Sequence, residues 1–125
     1  MIKGIGVDII EVGRIKNGWQ KYQNRFLDRL FTVDEADYCL QQSNPEIHLA
    51  ARFAAKESVA KALGTGLRGM KWTEIEVWNN ELGKPVIKLH NQAQVTAKQL
   101  GIQKVLISLS HTKKQAIAYA VAVTE

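Results

Sequence analysis

The sequence predicts an α+β domain in which a small antiparallel sheet packs on one long buried helix. Three observations carry this expectation. Stretches of two-residue and of 3.6-residue hydrophobic period succeed one another in the order strand, helices, two strands, helix, two strands. The helix read from "EIHLAARFAAKESVAKALG" is small or apolar around most of its circumference, the pattern of a helix covered on all sides. The last strand, "QAIAYAVAV", puts Ala116, Ala118, Ala120 and Ala122 on one face, which admits a helix at short range.

Each element has a local reason. The first strand is expected over residues 2–9, with Gly4, Gly6 and Asp8 on one face and Ile5, Val7 and Ile9 on the other. Residues 12–30 read as helical and strongly basic, and "VDEADYCLQQ" as a short helix capped by Thr32 or Asp34. Ser43, Asn44 and Pro45 punctuate the chain before the long helix, which "GTGLRG" stops because three closely spaced glycines do not continue a helix cheaply. "EIEVW", the turn "NNELGK" and "PVIKL" form a hairpin; "NQAQVTAKQLG" is a short helix; "KVLISLS" and "QAIAYAVAV" flank the turn "HTKK". No repeat, low-complexity tract or linker interrupts this order, so residues 1–125 are expected to form a single domain.

Composition narrows the function. A chain of 125 residues that is 46% apolar and 23% charged builds one hydrophobic core and is not a disordered segment. The net charge of +5 favours an anionic partner. The single cysteine, Cys39, has no internal disulfide partner; it is expected to be a partly buried helix residue in a reducing compartment. Asp8 and Glu11 interrupt the N-terminal apolar run, and no window approaches the roughly 18 apolar residues of a membrane span, so a cytoplasmic protein without membrane contact is expected. Trp19, Trp72 and Trp78 lack the spacing of a base-stacking platform, which argues against a nucleic-acid module.

The candidate chemistry centres on carboxylates. Asp8 stands on a strand face cleared by two glycines, as expected where a helix or a ligand backbone approaches, although a capping or turn carboxylate at a strand end reads the same way. Phe53, Glu57 and Lys61 share one helix face, and Glu57 and Lys61 have the favourable order for a helical ion pair. On a surface such a pair contributes only about 0.3–0.5 kcal/mol. This helix reads as buried, where charges are costly unless used. Asp8 beside Glu57 would make a site for a hard cation, with the remaining magnesium positions open to water and phosphate oxygens. A structural salt bridge fits the same spacing.

Other motifs are weaker. "GTGLRG" could present backbone N–H groups to an anion, with Lys61 a turn earlier and Arg68 inside the loop, or Gly64 could simply stop the helix; the tail of a Walker A motif is missing. Ser110, His111 and Thr112 lie at the mouth of the last hairpin with Lys113 and Lys114 behind them, where a turn histidine is the commoner case. If residues 14–29 form one helix, Arg14, Lys21, Arg25 and Arg29 lie at offsets of 7, 4 and 4 and make a positive stripe, which Gly18 could break and which could also be a plain solvated face.

Four segments together, "GIGVDIIEVGRI", "RFAAKESVAKALGTG", "GKP" and "SLSHTKKQAIAYAVA", resemble the holo-acyl-carrier-protein synthase family, the small bacterial-type phosphopantetheinyl transferases. The match runs in order from end to end; residues 16–46 and 70–82 carry no signature of the family. The resemblance implies that fold, and transfer of phosphopantetheine from coenzyme A to a serine of apo acyl carrier protein, with release of adenosine 3′,5′-bisphosphate. It implies magnesium held by Asp8 and Glu57, with Lys61 at the phosphates; these three side chains would be the catalytic set. Gly64 and Gly66 would lie against coenzyme A, His111 and Thr112 near its ribose phosphate, and Arg52 would make a phosphate contact across subunits. Arg14, Lys21, Arg25 and Arg29 would dock the acidic carrier, and the assembly would be a homotrimer with active sites between subunits. The base is left open between Glu57, Asp8 and a metal-bound water. Ser58 and Val59 stand where the family usually has apolar or small residues, a departure expected to affect packing and not chemistry. An idle carrier-binding protein is disfavoured because Asp8, Glu57 and Lys61 are all retained.

Overall fold

The structure, a computed structural model, describes residues 1–124. Five strands and five helices follow the expected order: β1 (Ile2–Glu11), α1 (Val12–Tyr22), α2 (Asn24–Leu30), α3 (Val33–Leu40), α4 (Pro45–Ala62), β2 (Ile75–Asn79), β3 (Pro85–Leu89), α5 (Asn91–Gln99), β4 (Lys104–His111) and β5 (Gln115–Val123). A 3₁₀ turn, Trp72–Glu74, leads into β2. The main sheet is antiparallel in the order β1-β5-β4, and β2 and β3 form a separate hairpin.

Close approach organises the core. On β5 Ala116, Ala118, Ala120 and Ala122 are all buried beneath α4. A Cβ at Gly4 would run into the Ala62 carbonyl, and one at Gly6 into the Ser58 carbonyl, so the two glycines of β1 let the α4 backbone lie directly on the strand. The face that carries Asp8 is therefore cleared for a helix. Leu49, Ala50, Ala54, Ala55 and Val59 of α4 are completely buried, as the apolar circumference required. Ser58 is buried too, and its hydroxyl donates to the Ala55 carbonyl at 2.8 Å, so its polarity is satisfied within the helix.

Three expectations need correction, and the choice between two candidate caps is settled. The basic segment is two helices and not one: the chain turns at Gln23, whose φ of 52° and ψ of −123° are incompatible with helix continuation. Gly18 does not break α1; its missing side chain leaves room for the Phe26 ring, which a Cβ there would approach to 2.6 Å, so α2 folds back on α1 at that point. Thr32 and not Asp34 caps α3, in a reciprocal box where Thr32 Oγ1 accepts from the Glu35 N–H at 3.2 Å and Glu35 Oε1 accepts from the Thr32 N–H at 2.9 Å. Cys39 is wholly buried, and burial pushes its thiol up to about 11 despite the opposing Arg52 charge, so it is an inert core group.

Candidate active site

Asp8 faces α4 from β1, two residues beyond Gly6 on the same side of the strand. Its side chain is only 12% exposed. Lys61, in the last turn of α4, donates from Nζ to Asp8 Oδ1 at 3.0 Å and to the Val7 carbonyl at 3.0 Å. Asp8 Oδ2 is buried and has no hydrogen-bond partner. Glu57 lies one helical turn before Lys61, close enough to Asp8 for the two carboxyls to act on each other. Burial foremost, then the nearby Asp8 carboxylate, push the Glu57 carboxyl up to about 7, against the attraction of Lys61 and Arg14.

Two carboxylates, one orphaned oxygen and an ammonium that is 55% exposed form an electrostatically incomplete site. Ionising both carboxylates side by side calls for more positive charge than Lys61 supplies. All donors are oxygens, which suits a hard divalent cation. Among the described residues no three His, Cys, Asp or Glu side chains gather in a way that could cage a metal by themselves. The pair Asp8 and Glu57 fits magnesium, which keeps several positions for water and phosphate oxygens.

The glycine loop follows Lys61 directly. Gly64, Gly66 and Gly69 have φ of 79°, 59° and 73°, and a Cβ at any of them would meet nothing within 4 Å. Backbone conformation, not crowding, requires glycine there. The Gly64 N–H donates to the Lys61 carbonyl at 3.0 Å, so Gly64 does stop the helix, immediately beside the carboxylate pair.

A second cluster occupies the other half of α4. The His111 ring stands 6.0 Å from that of His48, which in turn meets Tyr38 at 6.3 Å. Burial, then the charges of His111 and Arg52, hold His48 below its usual range. Arg52 is 5% exposed, lies 4.3 Å over the Tyr38 ring, reaches Asn79 Oδ1 at 3.5 Å and leaves its Nε without a partner. Thr112 closes the β4–β5 turn, its hydroxyl accepting from the N–H groups of Lys114 at 3.2 Å and Gln115 at 3.1 Å. His48 precedes Glu57 by nine residues, about 13 Å along the helix axis. Within one chain, then, Arg52, His111 and Thr112 do not converge on Asp8, Glu57 and Lys61.

A family model described as the 4′-phosphopantetheinyl transferase superfamily matches residues 4–122. The chain belongs to this superfamily. Among curated proteins it is 49% identical to the holo-[acyl-carrier-protein] synthase of Alkaliphilus oremlandii over 98% of this chain and 100% of that one. Among solved structures, the holo-[acyl-carrier-protein] synthase of Neisseria meningitidis superposes with a TM-score of 0.91 at 36% identity, covering 98% of this chain and 99% of that one. The Helicobacter pylori synthase in complex with coenzyme A superposes with a TM-score of 0.84 at 28% identity, over 95% of this chain and 99% of that one.

The basic residues of this transferase divide between its first two helices. Arg14, near the start of α1, lies close enough to Glu57 to act on its ionisation. Lys21 sits 5.2 Å from the Tyr22 ring centroid. Arg25 and Arg29 of α2 line a groove with Tyr22, Phe26, Leu30 and Trp72. The turn at Gln23 therefore replaces one straight stripe by two separate parts, Arg14 beside Glu57 and a cationic, aromatic-walled groove lined by Arg25 and Arg29.

Two participants escaped the sequence reading. Lys56, adjacent to Glu57, is 0% exposed and ion-pairs with Glu35 at 2.7 Å. A signal existed: the apolar circumference that made Glu57 conspicuous applies equally to Lys56, and the Thr-x-x-Glu capping box marked Glu35. His48 had no such signal, because its neighbourhood with His111 arises only when α4 lies across the sheet.

Proposed function

We propose that this protein transfers the phosphopantetheine group of coenzyme A to a serine hydroxyl of apo acyl carrier protein, giving holo carrier and adenosine 3′,5′-bisphosphate. The observation that carries the proposal is the meeting of Asp8, Glu57 and Lys61 where α4 crosses β1, on the segments that resemble the family's motifs. The relatives' names and the coenzyme A complex of the Helicobacter pylori synthase support the substrates.

Asp8 and Glu57 would hold magnesium, with Asp8 Oδ2 free to bind it. When bound, the ion supplies charge neutralisation along the coenzyme A diphosphate. Lys61 is exposed enough to turn its ammonium toward the departing phosphate and donate to it, while Asp8 keeps it in place between turnovers. The serine proton has two acceptors on this chain, Asp8 and Glu57, within one site. The positive φ of Gly64 and Gly66 keeps the loop clear of side chains where the coenzyme would lie.

Coenzyme A would be gripped between subunits of a homotrimer. Two features support this: Arg52, His111 and Thr112 make no hydrogen bond or ion pair with the carboxylate site within one chain, and the sheet face opposite α4 exposes Ile5, Val7, Ile9, Leu106, Ile117 and Tyr119, a broad apolar surface. The groove lined by Arg25 and Arg29, with Arg14 and Lys21 nearby, would dock the acidic carrier and steer its approach. A cytoplasmic setting accords with the buried, unpaired Cys39; no helix among the described residues is long and apolar enough to cross a membrane.

Intact-mass spectrometry of an apo acyl carrier protein incubated with the protein and coenzyme A tests the proposal. A phosphopantetheine mass gain that appears with magnesium and is lost in EDTA is expected. No gain on any of several apo carriers would overturn it.

A further inference from the structure

We infer that Lys56 and Glu35 form a buried clamp that sets the rotation of α4 about its axis and thereby aims Glu57 at Asp8; both are positioning residues for the transfer. The inference rests on the reading of Asp8 and Glu57 as the metal pair.

Lys56 is wholly buried, and its ammonium uses all three of its donors: to Glu35 Oε1 at 2.7 Å, to the Ile75 carbonyl at 2.7 Å and to the Trp72 carbonyl at 3.0 Å. Glu35 is filled as completely. Its Oε1 also accepts from the Thr32 N–H, and its Oε2 from the Val77 N–H at 2.8 Å. A single ammonium thus joins α4 to the cap of α3, to the 3₁₀ turn and to β2.

The helix needs such a device because its own surface gives little grip. Ala50, Ala51, Ala54, Ala55, Ala60 and Ala62 give much of α4 shallow ridges that interlock weakly, so Leu49, Phe53 and Val59 are left as its main large apolar contacts. Gly4 and Gly6 set how near α4 comes to β1, while a smooth contact leaves its roll to groups with directional bonds. Lys56 and Glu57 are consecutive, about 100° apart around the axis, so fixing one fixes the direction of the other. A roll of about 10° carries a carboxyl about 6 Å from the axis through about 1 Å. A misplacement of that size at a reacting centre can cost about a hundredfold in rate. A well-packed apolar pair would often serve stability as well as a buried ion pair does, so direction is what the charges add.

The test compares full-length Lys56→Met and Glu35→Gln with Leu49→Ala, a cavity in the same helix outside the clamp. Free Mn²⁺ is followed by electron paramagnetic resonance with coenzyme A present, and kcat and KM are measured below each variant's melting temperature. Lys56→Met should weaken Mn²⁺ binding and lower kcat by about tenfold or more, with KM for the carrier within about twofold of wild type. Glu35→Gln should move the same quantities less, and Leu49→Ala should melt earlier with both unchanged. Wild-type Mn²⁺ binding and kcat in Lys56→Met, or in Glu35→Gln if Lys56→Met does not fold, would overturn the clamp, as would an equal loss in Leu49→Ala. Wild-type protein that binds no Mn²⁺ would overturn the metal reading instead, and the kcat comparison would still decide the clamp.

Discussion

Replacing Gly6 by alanine tests the contact on which the site is built. A Cβ there would collide with the Ser58 carbonyl and stand 2.9 Å from the Ala62 nitrogen and 3.0 Å from Lys61 Cβ, where ordinary contact begins at 3.4 Å. The colliding atoms belong mostly to helix backbone, which cannot rotate out of the way, so α4 must retreat from β1 by at least half an ångström at Ala62. Overpacking of this kind typically costs about 1–3 kcal/mol, and a clash with backbone belongs at the upper end. The retreat also draws Lys61 and Glu57 away from Asp8, so transfer should fall by more than the loss of folded protein explains. Gly13→Ala is the control: it lies in α1 with nothing within 4 Å of its would-be Cβ, and alanine there should be neutral or stabilise by up to about 1 kcal/mol. Urea unfolding followed by tryptophan fluorescence gives both values, and carrier transfer gives the activity. Gly6→Ala within about 0.5 kcal/mol of wild type and with unchanged kcat would refute the argument that strand-to-backbone contact holds the site together.

Asp8→Asn and Glu57→Gln should each reduce kcat by at least about a hundredfold while leaving the circular dichroism spectrum unchanged, measured by mass gain of the carrier; near-normal turnover in either would remove that residue from the metal pair. Arg25→Glu should raise KM for the carrier and flatten its salt dependence with little change in kcat, because Arg25 lines the groove away from the carboxylates; steady-state kinetics at two ionic strengths decide. Glu76 faces burial, which would raise its pKa, yet hydrogen bonds from Thr32 at 2.7 Å and with His90 at 2.8 Å hold the carboxyl below its ordinary 4.5. A depressed carboxyl contributes stability that is complete above about 4.5 and lost as pH falls through the folded value, so Glu76→Gln should flatten the acid limb of a melting-temperature profile, and an unaltered limb would count against this network. Tyr119→Glu, on the exposed face of β5, should give a monomer in light scattering and abolish transfer; a trimer that survives would place the subunit contact elsewhere.

Much of this was legible because periodicity reports local environment. Alternation along β1 and β5 announced both the cleared face and the alanine face, and α4 lies on them. The four-residue spacing of Glu57 and Lys61 placed both on one side of α4, and both meet Asp8. Where the reading failed, a non-local partner decided. Gln23 interrupts the basic segment because Phe26 docks on Gly18, a contact that no hydrophobic period displays. Lys56 looked like one more helix charge until Glu35, Trp72 and Ile75 gathered around it.

The sequence by itself determined the α+β order of elements and the burial of α4, because each depends on spacing along a single strand or helix; spacing offered Asp8, Glu57 and Lys61 only as candidates, and the resemblance to the family's motifs joined them into one set. Only the tertiary structure decided that Asp8 Oδ2 remains unpartnered, that burial beside Asp8 pushes Glu57 to about 7, and that Arg52 and His111 stand apart from them. Desolvation and charge proximity depend on distances through space, and those exist only once α4 has settled between β1 and the elements that hold Lys56.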